Sequence, residues 1–424
     1  MIRTKTQVAV LLAVTTFAAT SWGDEFHYNN ILVGDRASGM GGAYTAVSDD
    51  PGGMYYNPAG IAYSTGKNLS ASVNAYSVSN KTYKGVFAGQ DWTRTSSTLL
   101  PNFFGIIQPV GKIKLGFSYA VPDSNQEDQD QSFTYDNGAS WGNTTHVINF
   151  NNKNDVNLFG PSAAIQLSDS FSVGATLYAH TRNTEAILNW VQQSDDGKSH
   201  NWVNSYRETN ELGVKPIVGI MWSPAEKISL GLTVSKTVIL RSEILDQANQ
   251  SAAENQTSGA TNNANIVLQT NKSLNTTSQK RSYPYQVTAG VAFFPNSSLL
   301  ISGDLSYYSA YDYEWVDGLT KRTSVINGAL GAEYYINKNW AVRGGLFTDI
   351  ANTPDLVSDG TYQLEHIDMY GGSMTVSHFT KNTSISCGGS YKFGNGKSQI
   401  MPTSPVQDVT ANNWTLFISS SYTY

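Results

Sequence analysis

Six histidines, His27, His146, His180, His200, His366 and His378, are the residues best suited to acid–base or metal chemistry in this chain, and no two of them form an H-x-x-x-H pair. Zinc hydrolysis needs two imidazoles one turn apart on a helical face, so that ligand set is missing. A hydrolytic barrel would instead set a Ser or Asp beside a His near one rim. His180 and His200, placed near strand ends or loops, are the candidates for such a set, against the commoner structural role of a lone histidine. Glu127, Asp128 and Asp130 offer oxygen ligands for calcium, with a solvated charged loop as the other reading. Asp49 and Asp50 fall in a small-residue segment where buried carboxylates would need a cation such as Arg36 or one from a barrel wall. Gly39-Met40-Gly41-Gly42 lacks the preceding strand and following βαβ unit of a dinucleotide loop. No catalytic residue, metal or cofactor is assigned.

Composition narrows the class further. The chain has 424 residues, a net charge of −6 and no basic tract, which argues against nucleic acid as a partner. Charged residues make up 14% and aromatics 12%, with 24 Tyr; an average soluble domain carries roughly 25% charged residues. Cys387 is the single cysteine and has no partner for an internal disulfide. Arg3 and Lys5, the apolar run Val8–Ala19 and the small residues Ser21 and Gly23 read as a secretory signal peptide over 1–23. A stretch of twelve residues falls short of the roughly 20 that a membrane-spanning helix requires. No later run is long enough either, and the mean hydropathy is −0.30. Strands remain able to span a membrane, because each needs only about ten residues with every second one apolar.

The positioning elements are therefore strands. From about residue 67 the chain repeats an alternating run, a very short turn, a second alternating run and a longer polar stretch. The short turns stand at 110–112, 168–170, 223–227, 295–297, 336–339 and 380–383. Longer polar stretches lie near 123–153, 191–206, 245–280, 314–320, 351–363 and 394–411. The spacing predicts an all-β protein: a transmembrane antiparallel β-barrel of about fourteen strands over 67–424, with short periplasmic turns and long outer loops. In the last strand Trp414, Leu416, Ile418, Tyr422 and Tyr424 share one face, and Thr415, Ser419, Ser421 and Thr423 the other. Aromatic girdles are expected at the periplasmic rim from Trp222, Phe293, Phe294, Tyr334, Tyr335 and Trp340, and at the outer rim from Tyr307, Tyr308, Tyr311, Tyr313 and Trp315.

Residues 24–66 do not alternate. Their run Gly34-Asp35-Arg36-Ala37-Ser38-Gly39-Met40-Gly41-Gly42-Ala43-Tyr44 leads through Asp49-Asp50-Pro51-Gly52-Gly53 to Asn57-Pro58-Ala59-Gly60. This run resembles the N-terminal hatch of the FadL family of outer-membrane channels for long-chain fatty acids and aromatic hydrocarbons, including its Asn-Pro-Ala motif. Leu100–Pro109 and Lys112–Pro122 resemble the strand, turn and strand that follow the hatch. Elementary chemistry suits the motif: Asn57 can cap a short helix in which Pro58 takes the first position.

The resemblance implies a hatch at 24–66 inside the lumen, with Asn57, Pro58 and Ala59 as its motif and Gly39, Gly41 and Gly42 as close-packing glycines. It also implies passive uptake of hydrophobic compounds, with lateral release into the membrane through a kinked strand. Pro122 is the candidate kink, and strand termination is the other reading for a proline there. The expected location is the bacterial outer membrane. Expected partners are hydrophobic small molecules, outer-membrane lipid and lipopolysaccharide, and the barrel-assembly machinery, with the chain a monomer. The alternatives are a noncatalytic assembly or secretion partner and a general porin. The stretch 245–280 is rich in Asn, Gln, Ser and Thr, with Ile266-Val267-Leu268 its one apolar patch.

Overall fold

The computed structural model describes residues 26–137, 141–253, 269–275, 279–315, 318–360, 363–400 and 405–423. The expected signal peptide therefore lies outside the described residues. β1 (Asn68–Phe87), β2 (Gln90–Val110), β3 (Ile113–Asp136), β4 (Asn143–Ser168), β5 (Phe171–Ser194) and β6 (His200–Ala225) are long strands. They are followed by β7 (Ile228–Lys236), β8 (Val238–Ala253), β9 (Gln269–Asn275), β10 (Tyr285–Asn296), β11 (Leu299–Tyr308), the hairpin β12 (Tyr311–Trp315) and β13 (Gly318–Arg322), and β14 (Val325–Asn337). β15 (Trp340–Asp349), β16 (His366–Phe379), β17 (Thr383–Ser398) and β18 (Gln407–Thr423) complete the chain.

Antiparallel pairing runs β5-β4-β3-β2-β1-β18-β17-β16-β15-β14-β11-β10-β7-β6, and β6 returns to β5, closing a ring of fourteen strands. β8 follows β7 after Thr237 and pairs with the upper part of β6, while β9 pairs with β8. Closure leaves no free edge strand in the ring, and the β2–β3 ladder is incomplete above Phe103 and Ala120. All six short turns of the sequence reading sit between consecutive strands.

Alternation explains the orientation of the wall. In β18, Trp414, Leu416 and Ile418 are more than half exposed, while Ser419 is buried against the interior. Phe417 also points inward. At the short-turn end, Trp222, Phe293, Tyr334 and Trp340 face outward and are 43–50% exposed, as a headgroup-level girdle requires.

Two expectations need correcting. The stretches 123–153 and 191–206 are mostly strand: β3 reaches Asp136, β4 starts at Asn143 and β5 reaches Ser194. β1 to β6 hold 20–26 residues each, whereas crossing the bilayer takes about 9–11. On β4 the outward face changes from Leu167, Ala163 and Phe159 to Asn157, Asp155, Lys153 and Asn151, so the upper half of these strands stands above the membrane as a polar crown. Polar residues of a crown strand look like loop residues, because both faces escape the lipid rule. The second correction concerns the outer aromatic rim. Tyr308, Tyr313 and Trp315 are buried, not lipid-facing; Tyr313 and Trp315 belong to the β12–β13 hairpin and pack on Ile244. Ile266-Val267-Leu268 lie outside the described residues.

Candidate binding cavity

The N-terminal segment 26–66 forms no strand. It carries short helices at Asp35–Gly39 and Gly53–Tyr56 and a 3-10 helix at Pro58–Tyr63. Asn57 begins the last of these: its Oδ1 accepts from Ala59 N at 3.1 Å, and its Nδ2 donates to Thr45 O at 2.8 Å and to Ile220 O of β6 at 3.1 Å. Pro58 occupies the first turn, where a missing donor costs nothing. Asn57, Pro58 and Ala59 are all buried.

Inward-facing glycines of the wall receive this segment. A Cβ on Gly174 of β5 would fall on Pro58, on Gly219 of β6 on Asn57, and on Gly231 of β7 on Thr45. On Gly331 of β14 and Gly345 of β15 it would fall on Met40 and Gly41, and on Gly116 of β3 on Met54. Within the segment, Gly41 and Gly42 hold φ of 64° and 83°, the left-handed region that glycine enters without steric cost. Gly39 approaches Thr375 of β16 too closely for a side chain.

Charge joins the same surfaces. Arg36 donates to Glu333 of β14, with Nε 2.9 Å from Oε2, and pairs with Asp49 at 2.6 Å. Glu333 also accepts from Arg343 of β15 at 2.7 Å. Asp304 of β11 accepts from the backbone N–H groups of Tyr44 and Thr45 at 2.9 and 2.8 Å. Asp50 accepts from Gly52 N at 2.8 Å. Burial, and then the charge of Asp49, raise its carboxyl to about 6.

Between this segment and β3–β7, β10, β11 and β14 lies a cavity of about 190 Å³. Its apolar lining includes Ile31, Leu32, Tyr55 and Tyr56 of the segment, with Val156, Leu158, Ile217 and Tyr308 of the wall. Tyr28 stacks on Tyr308 at 4.0 Å. Arg182, Lys215, Arg281, His180, Asp123 and Asp304 supply its charged and titratable groups. Asp123 accepts from Asn30 at 3.1 Å and from Asn154 at 2.5 Å. Arg182 donates to Asn154 at 2.8 Å. Arg281 pairs with Glu211 at 3.0 Å and stacks on Trp315 at 4.6 Å. Lys215 differs: its ammonium lies 5.5 Å from the Tyr55 ring centroid, and no described carboxylate pairs with it. Sequence reasoning missed Lys215, yet Leu212, Val218 and Ile220 share the outward face, which turns Lys215 toward the lumen.

The other sequence-selected residues are dispersed. Pro122 lies inside β3 and lines the cavity, and its carbonyl accepts from Ile31 N at 3.1 Å. Pairing of β3 with β4 shifts register between Ala120 and Asp123, which bends the strand there. His180 packs edge-on against Tyr283 in the cavity wall, whereas His200 opens β6 at the far end of the crown. Glu127, expected in an acidic loop, is instead a buried strand residue bonded to Arg94. Among the described residues no three His, Cys, Asp or Glu side chains converge as metal ligands.

A closed barrel with an apolar outer band, a polar crown and an aromatic internal cavity defines a bacterial outer-membrane transport channel. The chain belongs to the outer membrane protein transport family (OMPP1/FadL/TodX), whose family model matches residues 14–395. Channels of this family take up hydrophobic compounds across the outer membrane. No curated protein sequence matches the chain. Among solved structures, the Pseudomonas putida toluene transporter TodX is similar at a TM-score of 0.62 and 12% identity, covering 94% of this chain and 99% of its own. A Pseudomonas aeruginosa FadL homologue gives 0.60 and 12%, covering 93% and 99%. The CymD monoaromatic hydrocarbon channel gives 0.58 and 14%, covering 94% and 99%.

Proposed function

We propose that this channel takes up hydrophobic acids, with fatty acids as the first choice, and that Lys215 holds the carboxylate while the tyrosine-lined part of the cavity holds the start of the chain. The observation carrying this reading is Lys215 itself. A half-buried ammonium without a counter-ion is costly, and a bound carboxylate would supply the missing charge. A neutral ring of the toluene kind would bury the same cation and leave it unpaired. The cavity's 190 Å³ is below the roughly 300–1,000 Å³ of sites that enclose a drug-sized ligand. A long chain must therefore extend beyond it.

Residues 24–66 act in this reading as the hatch, with Asn57-Pro58-Ala59 and Gly39, Gly41 and Gly42 fixing it against the wall. The exit is the break beside Pro122. There β2 and β3 are paired from Phe103 and Ala120 toward the short turn, while residues 97–102 and 121–126 are not paired with each other. The cavity reaches Pro122 and Asp123, so a ligand leaving through this window emerges at the outer edge of the apolar band, beside the exposed Leu99 of β2, and enters the membrane sideways there. The channel acts without catalysis, as a monomer surrounded by outer-membrane lipid and lipopolysaccharide, after insertion by the barrel-assembly machinery.

Lys215→Met tests the assignment. Oleate binding to the purified barrel should weaken at least tenfold, with toluene binding unchanged or improved. Equal oleate affinity in the two proteins would remove Lys215 as the carboxylate anchor.

A further inference from the structure

The break between β2 and β3 does not end at the window. Above it the two strands meet at one backbone pair, Ser96 with Glu127, and no pair is formed between residues 90–95 and 128–136. Neither strand is loose on its other side. β2 pairs with β1 through Trp92–Ser97, and β3 pairs with β4 without interruption from Asp123 to Asp136. Two firm panels thus face each other across a seam that lacks a backbone ladder.

Side chains replace the ladder. The Gln131 amide donates to Thr93 O at 2.7 Å, the Gln129 amide donates to Thr95 O, and the Gln90 amide donates to Thr134 O at 3.2 Å. Gln126 N donates to Ser96 Oγ at 3.2 Å, and Arg94 Nε donates to Glu127 Oε2 at 3.0 Å. The physical difference matters. A ladder is cooperative and opens only when the panel itself unfolds, whereas a side-chain amide can exchange its carbonyl partner for water above the membrane at a net cost of about 1 kcal/mol per bond.

We infer that this side-chain latch sets the size limit of the lateral port: slender molecules pass the window with the seam shut, and bulky ones pass only when Gln129, Gln131 and the Arg94–Glu127 pair let the panels part. The inference rests on the lateral-release reading above. It concerns which molecules pass and assigns no new ligand atom.

The test uses the full-length protein in cells that lack their own hydrophobic channel. One variant carries Ser96→Cys and Glu127→Cys in a Cys387→Ser background. Opposed residues of an antiparallel pair stand about 4.5–5.5 Å apart at Cα, within reach of a disulfide. Oxidation locks the seam, and reduction leaves it without its ion pair. The second variant is Gln129→Ala with Gln131→Ala. Uptake of radiolabelled oleate and of a steroid acid, cholate, is measured for each.

Oleate uptake should be the same in wild type, oxidised, reduced and Gln-to-Ala proteins. Cholate uptake should fall at least fivefold on oxidation, return on reduction, and rise several-fold above wild type in the Gln-to-Ala variant. Cholate uptake indifferent to the disulfide and to the glutamines, with oleate uptake intact, overturns the latch alone. Loss of oleate uptake on oxidation also overturns it, since slender molecules would then need the open seam. Absence of oleate uptake from wild type itself would overturn the hydrophobic-acid reading, and the latch with it.

Discussion

At the scale of residues, the interior carries several charges, and most meet an opposite charge. Glu333 sits between Arg36 and Arg343, Glu211 holds Arg281, and Lys392 pairs with Asp349 at 2.9 Å. Lys215 and Asp50 are the informative departures. Asp50 has a pH consequence whose sign follows from its raised carboxyl, about 6 when the segment is seated against an ordinary value of 3.8. Between about pH 4 and 6 the seated segment holds a proton that an unseated one has released, so seating is strongest at the acid end and weakens as pH rises to about 6. Limited proteolysis of the segment in wild type, compared with Asp50→Asn at each pH, checks this. The wild type should become more susceptible relative to the variant from pH 4 to pH 6, and the ratio should then level off; a flat ratio contradicts it. Asp49 and Asp50 were legible in sequence as carboxylates needing a cation such as Arg36; Arg36 pairs with Asp49 and Glu333, while Asp50 accepts from Gly52 N. Sequence order names the nearest cation, and the fold decides which carboxylate faces it.

At the scale of elements, alternation was enough to read the barrel. Polar-in, apolar-out spacing and six short turns give the strand number, because the lipid face tolerates nothing else. It could not read the crown, where water bathes the outer face and Asn or Lys can stand where Leu stood below. Nor could it read the β2–β3 seam, since a strand with an unmade ladder has the same sequence pattern as one fully paired. The wall glycines were hidden for a related reason. Scattered over separate strands, each looks like a weak strand residue, and only ring closure brings Gly174, Gly219, Gly231, Gly331 and Gly345 against one segment. Their role predicts a sharp positional contrast on β15. Gly345→Val places a side chain on the Gly41 backbone and should unseat the segment, at the cost of about 1–3 kcal/mol usual for overpacking. Gly344→Val faces outward, where the nearest atom to its Cβ is 3.9 Å away, and should leave it seated. Protease cleavage within 30–60, fast in the first variant and slow in the second, is the readout; equal rates would show that the glycine contact does not hold the segment.

At the scale of the whole molecule, the parts fit the passive route proposed above. An apolar band fixes the barrel in the outer membrane, a crown of strands stands outside it, and the N-terminal segment crosses the interior from β14–β15 to β2–β3. The cavity lies where that segment, the wall cations and the bend at Pro122 meet. The proposed route needs no energy source, because a hydrophobic solute would move from water to a partly apolar cavity and on to lipid down its own free-energy gradient. A general porin would need an open lumen, and here the segment's contacts run around the ring. The most direct measurement is radiolabelled oleate uptake in a strain without its own hydrophobic channel, comparing the full chain with a variant lacking Val33 to Ala62. The full chain should restore uptake, and the deletion should lose it. A correctly inserted full-length barrel that gives no oleate uptake would rule out the hydrophobic-acid channel and move the role toward assembly or secretion.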